Sequence, residues 1–196
     1  MCIRDSKWNY AEFAERRAKK QAEDQKVQFD VEQNMMNASQ LFEAKETDKA
    51  IQIVDDLIKK YDSHAISAQL KTARTQMLMV AGGERGAKAM RDYGEANKND
   101  PFLLNQMAWS IVNLKQSGQA VDAQMLVAAE KIAKLAADSK PDSGAILYTH
   151  ANLIYLNGNL DKAIEVQQQA VANSGEMLGQ FQPFLNRLLL EKANQN

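Results

Sequence analysis

The residues of this chain that could carry out chemistry are few and widely separated. Cys2 is the single cysteine, so no intramolecular disulfide can form, and a metal site would have to be built from His64, His150 and carboxylates. His150 lies among apolar residues, and no second histidine, cysteine or acidic cluster is one helical turn away. We therefore expect His150 to be a packed core side chain and His64 to lie in a surface turn.

A second candidate for chemistry is the glycine-rich segment at residues 82–86, Gly-Gly-Glu-Arg-Gly. Free backbone amides in such a segment can bind phosphate, but the spacing to Lys88 does not fit the phosphate-loop pattern and no strand precedes it. The pattern favours an interhelical turn in which glycine supplies a left-handed cap. Gly-x-Ser-x-Gly, His-Glu-x-x-His and dinucleotide-binding glycine patterns do not occur. The sequence thus predicts no catalytic residue, no cofactor and no metal.

Charge and hydrophobicity argue against two classes of partner. The chain has 24 lysines and arginines against 25 aspartates and glutamates, a net charge of −1, so it has no cationic excess for nucleic-acid phosphates. Its longest uncharged run, residues 143–160, is interrupted by threonine, histidine, asparagine and glycine. It is therefore not the run of roughly 20 predominantly apolar residues that crosses a bilayer. We expect neither a nucleic-acid ligand nor a membrane span.

Residues 1–6, Met-Cys-Ile-Arg-Asp-Ser, are interpreted as a non-native leader. They resemble the translated sequencing-adapter leader found on fragmentary metagenomic reading frames, and they are set aside in the fold prediction. On this interpretation Lys7 is an interior residue of a longer protein.

Composition and hydrophobic spacing predict an all-α chain. Alanine is abundant, only three prolines occur, and alternating β-branched runs are absent. Over residues 7–30 a narrow apolar stripe predicts an N-terminal amphipathic helix, whose basic run at residues 16–20 is interpreted as a solvated face rather than a phosphate or membrane patch. The stripe is formed by Trp8, Ala11, Ala14, Ala18 and Ala22. Because no glycine or proline separates this helix from the next, we expect that the two can join in one rod reaching Glu43.

The rest of the chain divides into helix pairs. The clearest is 144–177, in which two apolar helices are separated by Asn157-Gly158-Asn159 and neither can bury its own apolar face. Similar pairs are predicted at 31–64, 65–100 and 101–143, and Asp-Lys-Ala-Ile at residues 48–51 recurs unchanged at 161–164. Residues 115–119 belong to an insertion of about nine residues, which we expect to form a longer loop. Residues 178–196 are predicted to be a capping helix with a frayed end, with Pro183 in its first turn.

The spacing of small, aromatic, small and proline residues at Ala89, Tyr93, Ala96 and Pro101 resembles the second helix and terminal turn of a tetratricopeptide repeat. Ala129, Ala136 and Pro141 repeat part of the pattern. The resemblance implies a right-handed superhelix of about four helix pairs over residues 31–177, preceded by the long helix and closed by the capping helix.

In a tetratricopeptide stack the first helix of each pair lines the concave surface, so the resemblance also implies a peptide-binding groove. Its amide and aromatic side chains could pair with a peptide backbone and supply apolar area. Lysine and arginine are absent from this set, which makes an acidic tail a poor candidate ligand. The alternative is that the three aromatic residues only pack between helices. The predicted groove residues are Gln69, Gln76, Asn105, Gln106, Trp109, Asn113, Tyr148, Asn152 and Tyr155.

A second resemblance concerns the whole chain. Lys-Trp-Asn-Tyr at residues 7–10, Leu-Asn-Gln-Met-Ala-Trp at 104–109 and Gly-Asn-Leu-Asp-Lys-Ala-Ile-Glu at 158–165 resemble the helical tail that follows the thioredoxin-like domain in some bacterial redoxin-family proteins. The family's chemistry needs a Cys-x-x-Cys pair that no residue here matches. The resemblance implies an accessory region that contacts a missing thioredoxin-like domain in the periplasm or cell envelope; otherwise a cytoplasmic location is expected.

Three functions follow from the sequence. The leading hypothesis is a non-catalytic scaffold that binds a protein or peptide, or docks a neighbouring domain. The second is the C-terminal accessory region of a thioredoxin-like thiol-disulfide oxidoreductase. The third is a purely structural spacer.

Overall fold

The computed structural model describes residues 10–195, with side chains from residue 11 onward. The α-helices in this part are α1 (Tyr10–Glu43), α2 (Thr47–Lys60), α3 (Ile66–Ala81), α4 (Gly83–Ala96), α5 (Pro101–Gln116), α6 (Ala123–Ser139), α7 (Gly144–Leu156), α8 (Leu160–Ala172) and α9 (Leu178–Asn194). No β-strand occurs among residues 10–195, so the predicted all-α class is confirmed. The leader at 1–6, Cys2 and Trp8 lie outside the described residues.

The chain forms two compact units that divide between Arg74 and Thr75, within α3. In the first unit α1 packs along α2, and the centre of the core is formed by Val31, Leu57 and Leu70. These side chains come from α1, α2 and α3, so each helix contributes one apolar face.

Polar contacts at the edge of this core tie α1 to the end of α2. The Asp30 carboxylate accepts hydrogen bonds from Lys60 Nζ (2.9 Å) and the Tyr61 hydroxyl (2.7 Å). These bonds lower the pKa of the Asp30 carboxyl, the Lys60 bond contributing most. An ion pair between Arg74 and Asp55 joins α3 to α2.

The first half of α1 is exposed along its entire circumference. Every residue from 11 to 26 is exposed, whereas core contacts begin at Val27. α1 runs unbroken to Glu43, the end expected for a single rod, and its 34 residues span about 50 Å. Roughly half of this helix therefore has no apolar face against its own unit.

The second unit is arranged around α7. α6 and α8 pack along α7, α5 packs against both α6 and α7, and α9 packs on α8. In α7 nine of thirteen residues are buried, including Ile146, Leu147, Leu153 and Ile154. A helix that is apolar on nearly every side requires neighbours on every side, and these helices supply them.

Close helix contacts depend on small residues. A Cβ at Gly144 would lie 2.4 Å from the Asn173 carbonyl oxygen, so the start of α7 can approach the end of α8 only with glycine at this position. Ala163 of α8 is fully buried. The repeated Asp-Lys-Ala-Ile begins at the second residue of both α2 and α8, so the sequence identity marks equivalent helix starts.

Two details differ from the sequence-based expectations. α4 packs along α6, with Gly94 against Ile132, a neighbour that the division into sequential helix pairs did not predict. Pro183 lies inside α9 rather than in its first turn, because the 3₁₀ turn Gly175–Met177 leads directly into a helix that begins at Leu178.

The Asp122 carboxylate caps two helices at once. Its Oδ1 accepts from the Met125 amide at the start of α6 (3.0 Å), and its Oδ2 accepts from the Gly83 amide at the start of α4 (2.7 Å). Both amides lack intrahelical partners and lie at positive helix ends. The loop before α6 thus fixes α4 as well, where Gly82 and Gly83 have positive φ angles of 71° and 63°.

We expect Asp122→Ala to reduce the free energy of unfolding by about 2 kcal/mol, because two caps are lost. Asp100→Ala is the matched control, since Asp100 caps only α5 through the Leu103 amide, and it should lose about half as much. Urea unfolding followed by circular dichroism measures both. Equal losses would contradict the double-cap role.

Candidate functional site

An aromatic row runs across α5, α7 and α9, and we use this name for Trp109, Tyr148, Tyr155, Phe181 and Phe184. The Trp109 and Tyr148 rings are 5.6 Å apart between centroids and tilted by 42°. Tyr148 stacks on Phe181 with a centroid distance of 4.6 Å and an interplanar angle of 17°. Phe181 is fully buried, whereas Trp109 and Tyr148 remain half-buried. The row therefore serves as interhelical packing and also reaches the surface.

The far end of the row contains Tyr155, Phe184 and two charged residues of α9. Phe184 meets Tyr155 edge-on at 5.9 Å between centroids, and the Tyr155 hydroxyl donates to Glu191 Oε2 (2.8 Å). This hydrogen bond is the main cause of the raised pKa of the Tyr155 hydroxyl. The Arg187 guanidinium carbon lies 5.4 Å from the Tyr155 centroid and 4.9 Å from that of Phe184, within cation–π range of both.

Gln167 of α8 holds this part of α9 in position. It is fully buried, and its Nε2 donates to the Phe181 carbonyl oxygen (2.8 Å). A buried amide with a backbone partner restricts how α9 can slide along α8. The helical spacing of Phe181, Phe184 and Leu188 then directs both phenylalanines toward the tyrosines.

The structure brings together some of the nine predicted groove residues. Asn105, Trp109 and Asn113 lie one turn apart on one face of α5, which packs against the helix carrying Tyr148 and Tyr155. Asn105 is half-buried, and its Oδ1 is buried with no hydrogen-bond partner among the described residues. This face combines aromatic surface with an unsatisfied amide oxygen.

The other predicted residues occupy different environments. Asn152 is buried and donates from Nδ2 to the Tyr148 carbonyl oxygen (2.8 Å), so it supports the helix rather than lining an open groove. Gln76 and Gln106 are exposed, and Gln69 is exposed in the first unit.

Arg187, Glu191 and Gln167 are absent from the sequence-based set. The set was restricted to the first helix of each pair, which leaves out α8 and the capping helix. The spacing of Phe184, Arg187 and Glu191, three and four residues apart, was the available signal, because it places all three on one face of a helix.

His150 is buried in α7, as expected for a packed side chain. Burial, reinforced by the positive charge of Lys134, lowers the pKa of its imidazole to about 4. The side chain is therefore neutral near pH 7.

His64 lies in the turn between α2 and α3. Its Nδ1 accepts from the Ile66 amide (3.2 Å), and its Nε2 contacts Asp24 Oδ1 at 3.1 Å. Because Nδ1 acts as an acceptor, Nε2 carries the proton and donates to Asp24. His64 thus links the α2–α3 turn to α1.

The described residues contain no group of three or more histidine, cysteine, aspartate and glutamate side chains able to hold a metal ion. None of the helices between Tyr10 and Gln195 combines the length and the hydrophobicity that crossing a membrane requires. The aromatic row and the Arg187 beside it combine apolar area, the Tyr155 hydroxyl and one guanidinium.

Comparison of the chain with known protein families, curated proteins and solved structures finds no match.

The buried His150 predicts a loss of stability on acidification. Its pKa is lower in the folded chain than the ordinary 6.5, so the unfolded chain binds more protons between pH 6.5 and about 4. This effect is absent above pH 6.5, and in that window it lowers the free energy of unfolding by about 1.4 kcal/mol per pH unit of acidification.

Urea unfolding of the wild type and His150→Leu from pH 7.5 to 4 tests this prediction. In the variant the free energy of unfolding should no longer fall with pH through this histidine. A control variant, His64→Gln, should retain the pH dependence of the wild type. An unchanged slope in His150→Leu would show that another group causes the pH dependence.

Proposed function

We propose that this chain is a non-catalytic interaction scaffold whose helices stack as in tetratricopeptide proteins and bind an extended peptide across the aromatic row. The observation that carries the proposal is the half-buried pair Trp109 and Tyr148 beside the unpartnered Oδ1 of Asn105. Aromatic rings provide large, rigid contact area at low entropic cost, and an amide oxygen without an internal partner gains a hydrogen bond when the side chain turns toward an incoming N–H group.

The packing order in the second unit supports this proposal. α5 packs with α6 and α7 with α8, and α5 also packs against α7. Stacked helix pairs have this neighbour pattern, which repeats the first helix of each pair along one surface. The side chains that repeat there are Trp109 and Tyr148, and Phe181 and Phe184 of α9 continue the series.

A second candidate is the docking of a neighbouring domain, such as the thioredoxin-like domain that the redoxin resemblance implies. The exposed half of α1 favours it, because a helix that is solvated on all sides commonly bridges two domains. If the chain docks a neighbouring domain, residues 11–26 are the ones that contact it.

Selection of peptides from a random twelve-residue display library tests the proposed function. We expect peptides that bind the immobilised chain, and Asn105→Leu should weaken their binding about tenfold, as expected for a lost hydrogen bond of about 1.4 kcal/mol. The melting temperature should not fall, because leucine removes a buried unsatisfied oxygen without leaving a cavity.

Gln124→Leu, at an exposed position of α6, is the matched control and should bind as the wild type does. No enrichment of peptides over a blank surface, or equal binding by Asn105→Leu, would contradict groove binding at this face. A loss of binding that occurs only in variants of residues 11–26 would favour the docking of a neighbouring domain.

A further inference from the structure

Arg187 differs from Arg74 and Arg91 in its partners. Arg91 pairs with Glu84, and Arg74 pairs with Asp55. The Arg187 guanidinium instead lies over the Tyr155 and Phe184 rings, and no ion pair or hydrogen bond engages its N–H groups among residues 10–195. The nearest acid along the helix, Glu191, accepts from the Tyr155 hydroxyl.

A guanidinium held over aromatic rings in this way can bind an anion. Cation–π contacts use the charge of the group and leave its five N–H donors available, and those donors match a carboxylate in a two-point hydrogen-bonded geometry. Contact with two rings also restricts the long side chain, so less conformational entropy remains to be lost on binding.

The position of Arg187 connects it to the aromatic row. Phe184, which lies beneath the guanidinium, also meets Tyr148 edge-on with 5.8 Å between centroids. A peptide lying over Trp109 and Tyr148 would therefore pass close to Arg187, because only the Phe184 ring lies between Tyr148 and the guanidinium. Because Arg187 is exposed, a ligand can reach it without displacing a helix.

We infer that Arg187 recognises a carboxylate of the peptide bound along the aromatic row, either an acidic side chain or a free C-terminus. The inference rests on the proposed function and names the chemistry of its ligand. It also revises the expectation that an acidic ligand is unfavourable, which considered only the first helix of each pair. Glu191 favours a singly charged carboxylate over a doubly charged phosphate, since its own charge repels the latter more strongly.

The peptides selected from the display library provide the probe. Each is synthesised with its acidic side chains as they are, with those side chains replaced by amides, and with a free or an amidated C-terminus. We expect wild-type binding to weaken about tenfold when the recognised carboxylate is neutralised, the size expected for a charge-assisted hydrogen bond. The pair of modifications identifies which carboxylate is used.

Arg187→Gln is the decisive variant and Arg91→Gln is its matched control. In Arg187→Gln the acidic and neutralised peptides should bind equally weakly, whereas Arg91→Gln should still distinguish them. Glu191→Gln should bind the acidic peptide more tightly than the wild type, because it removes the neighbouring negative charge and keeps an acceptor for Tyr155. Circular dichroism melting establishes that each variant is folded.

Any of three results would overturn the inference. These are peptide binding that does not depend on a carboxylate, a carboxylate dependence that persists in Arg187→Gln, and no peptide binding to the wild type. Peptide binding that depends on Asn105 but not on Arg187 would support the proposed function and contradict only the recognition of a carboxylate by Arg187. Absence of any peptide binding would contradict both.

Discussion

The second unit depends on the burial of α7. This short helix presents apolar or small side chains in nearly every direction, and Thr149, His150 and Asn152 are buried with them. Such a helix is unstable in water alone, because its hydrophobic surface must be removed from solvent on all sides. Packing of α5, α6 and α8 provides most of this burial, and the rings of α9 cover the remaining edge at Tyr148 and Tyr155.

Polar contacts fix the positions of the surrounding helices rather than drive their association. Asp122 joins the starts of α4 and α6, and Gln167 ties α8 to the backbone of α9. The two amides that Asp122 caps lie in first helical turns, where secondary structure leaves them unpaired. The Gln167 hydrogen bond holds the backbone at Phe181 of the aromatic row, and ring packing sets the positions of the side chains.

Much of the fold could be predicted from the sequence because helix starts and stops are encoded locally. Pro101 and Gly144 begin α5 and α7, and the repeated Asp-Lys-Ala-Ile occurs at the start of α2 and α8. Helix partners could not be predicted in the same way. Periodicity tells which face of α4 is buried but not that this face meets α6, since that depends on contacts distant in sequence. For the same reason Asn152 was predicted to line an open surface although it is buried, and Arg187 was missed.

Amide hydrogen exchange resolved along the chain tests most directly whether α7 is the centre of this architecture. The amides within α7 should exchange most slowly, at a rate set by unfolding of the whole second unit, whereas those at residues 11–26 should exchange orders of magnitude faster because only local fraying is needed. Exchange in α7 as fast as in that exposed half of α1 would contradict the account.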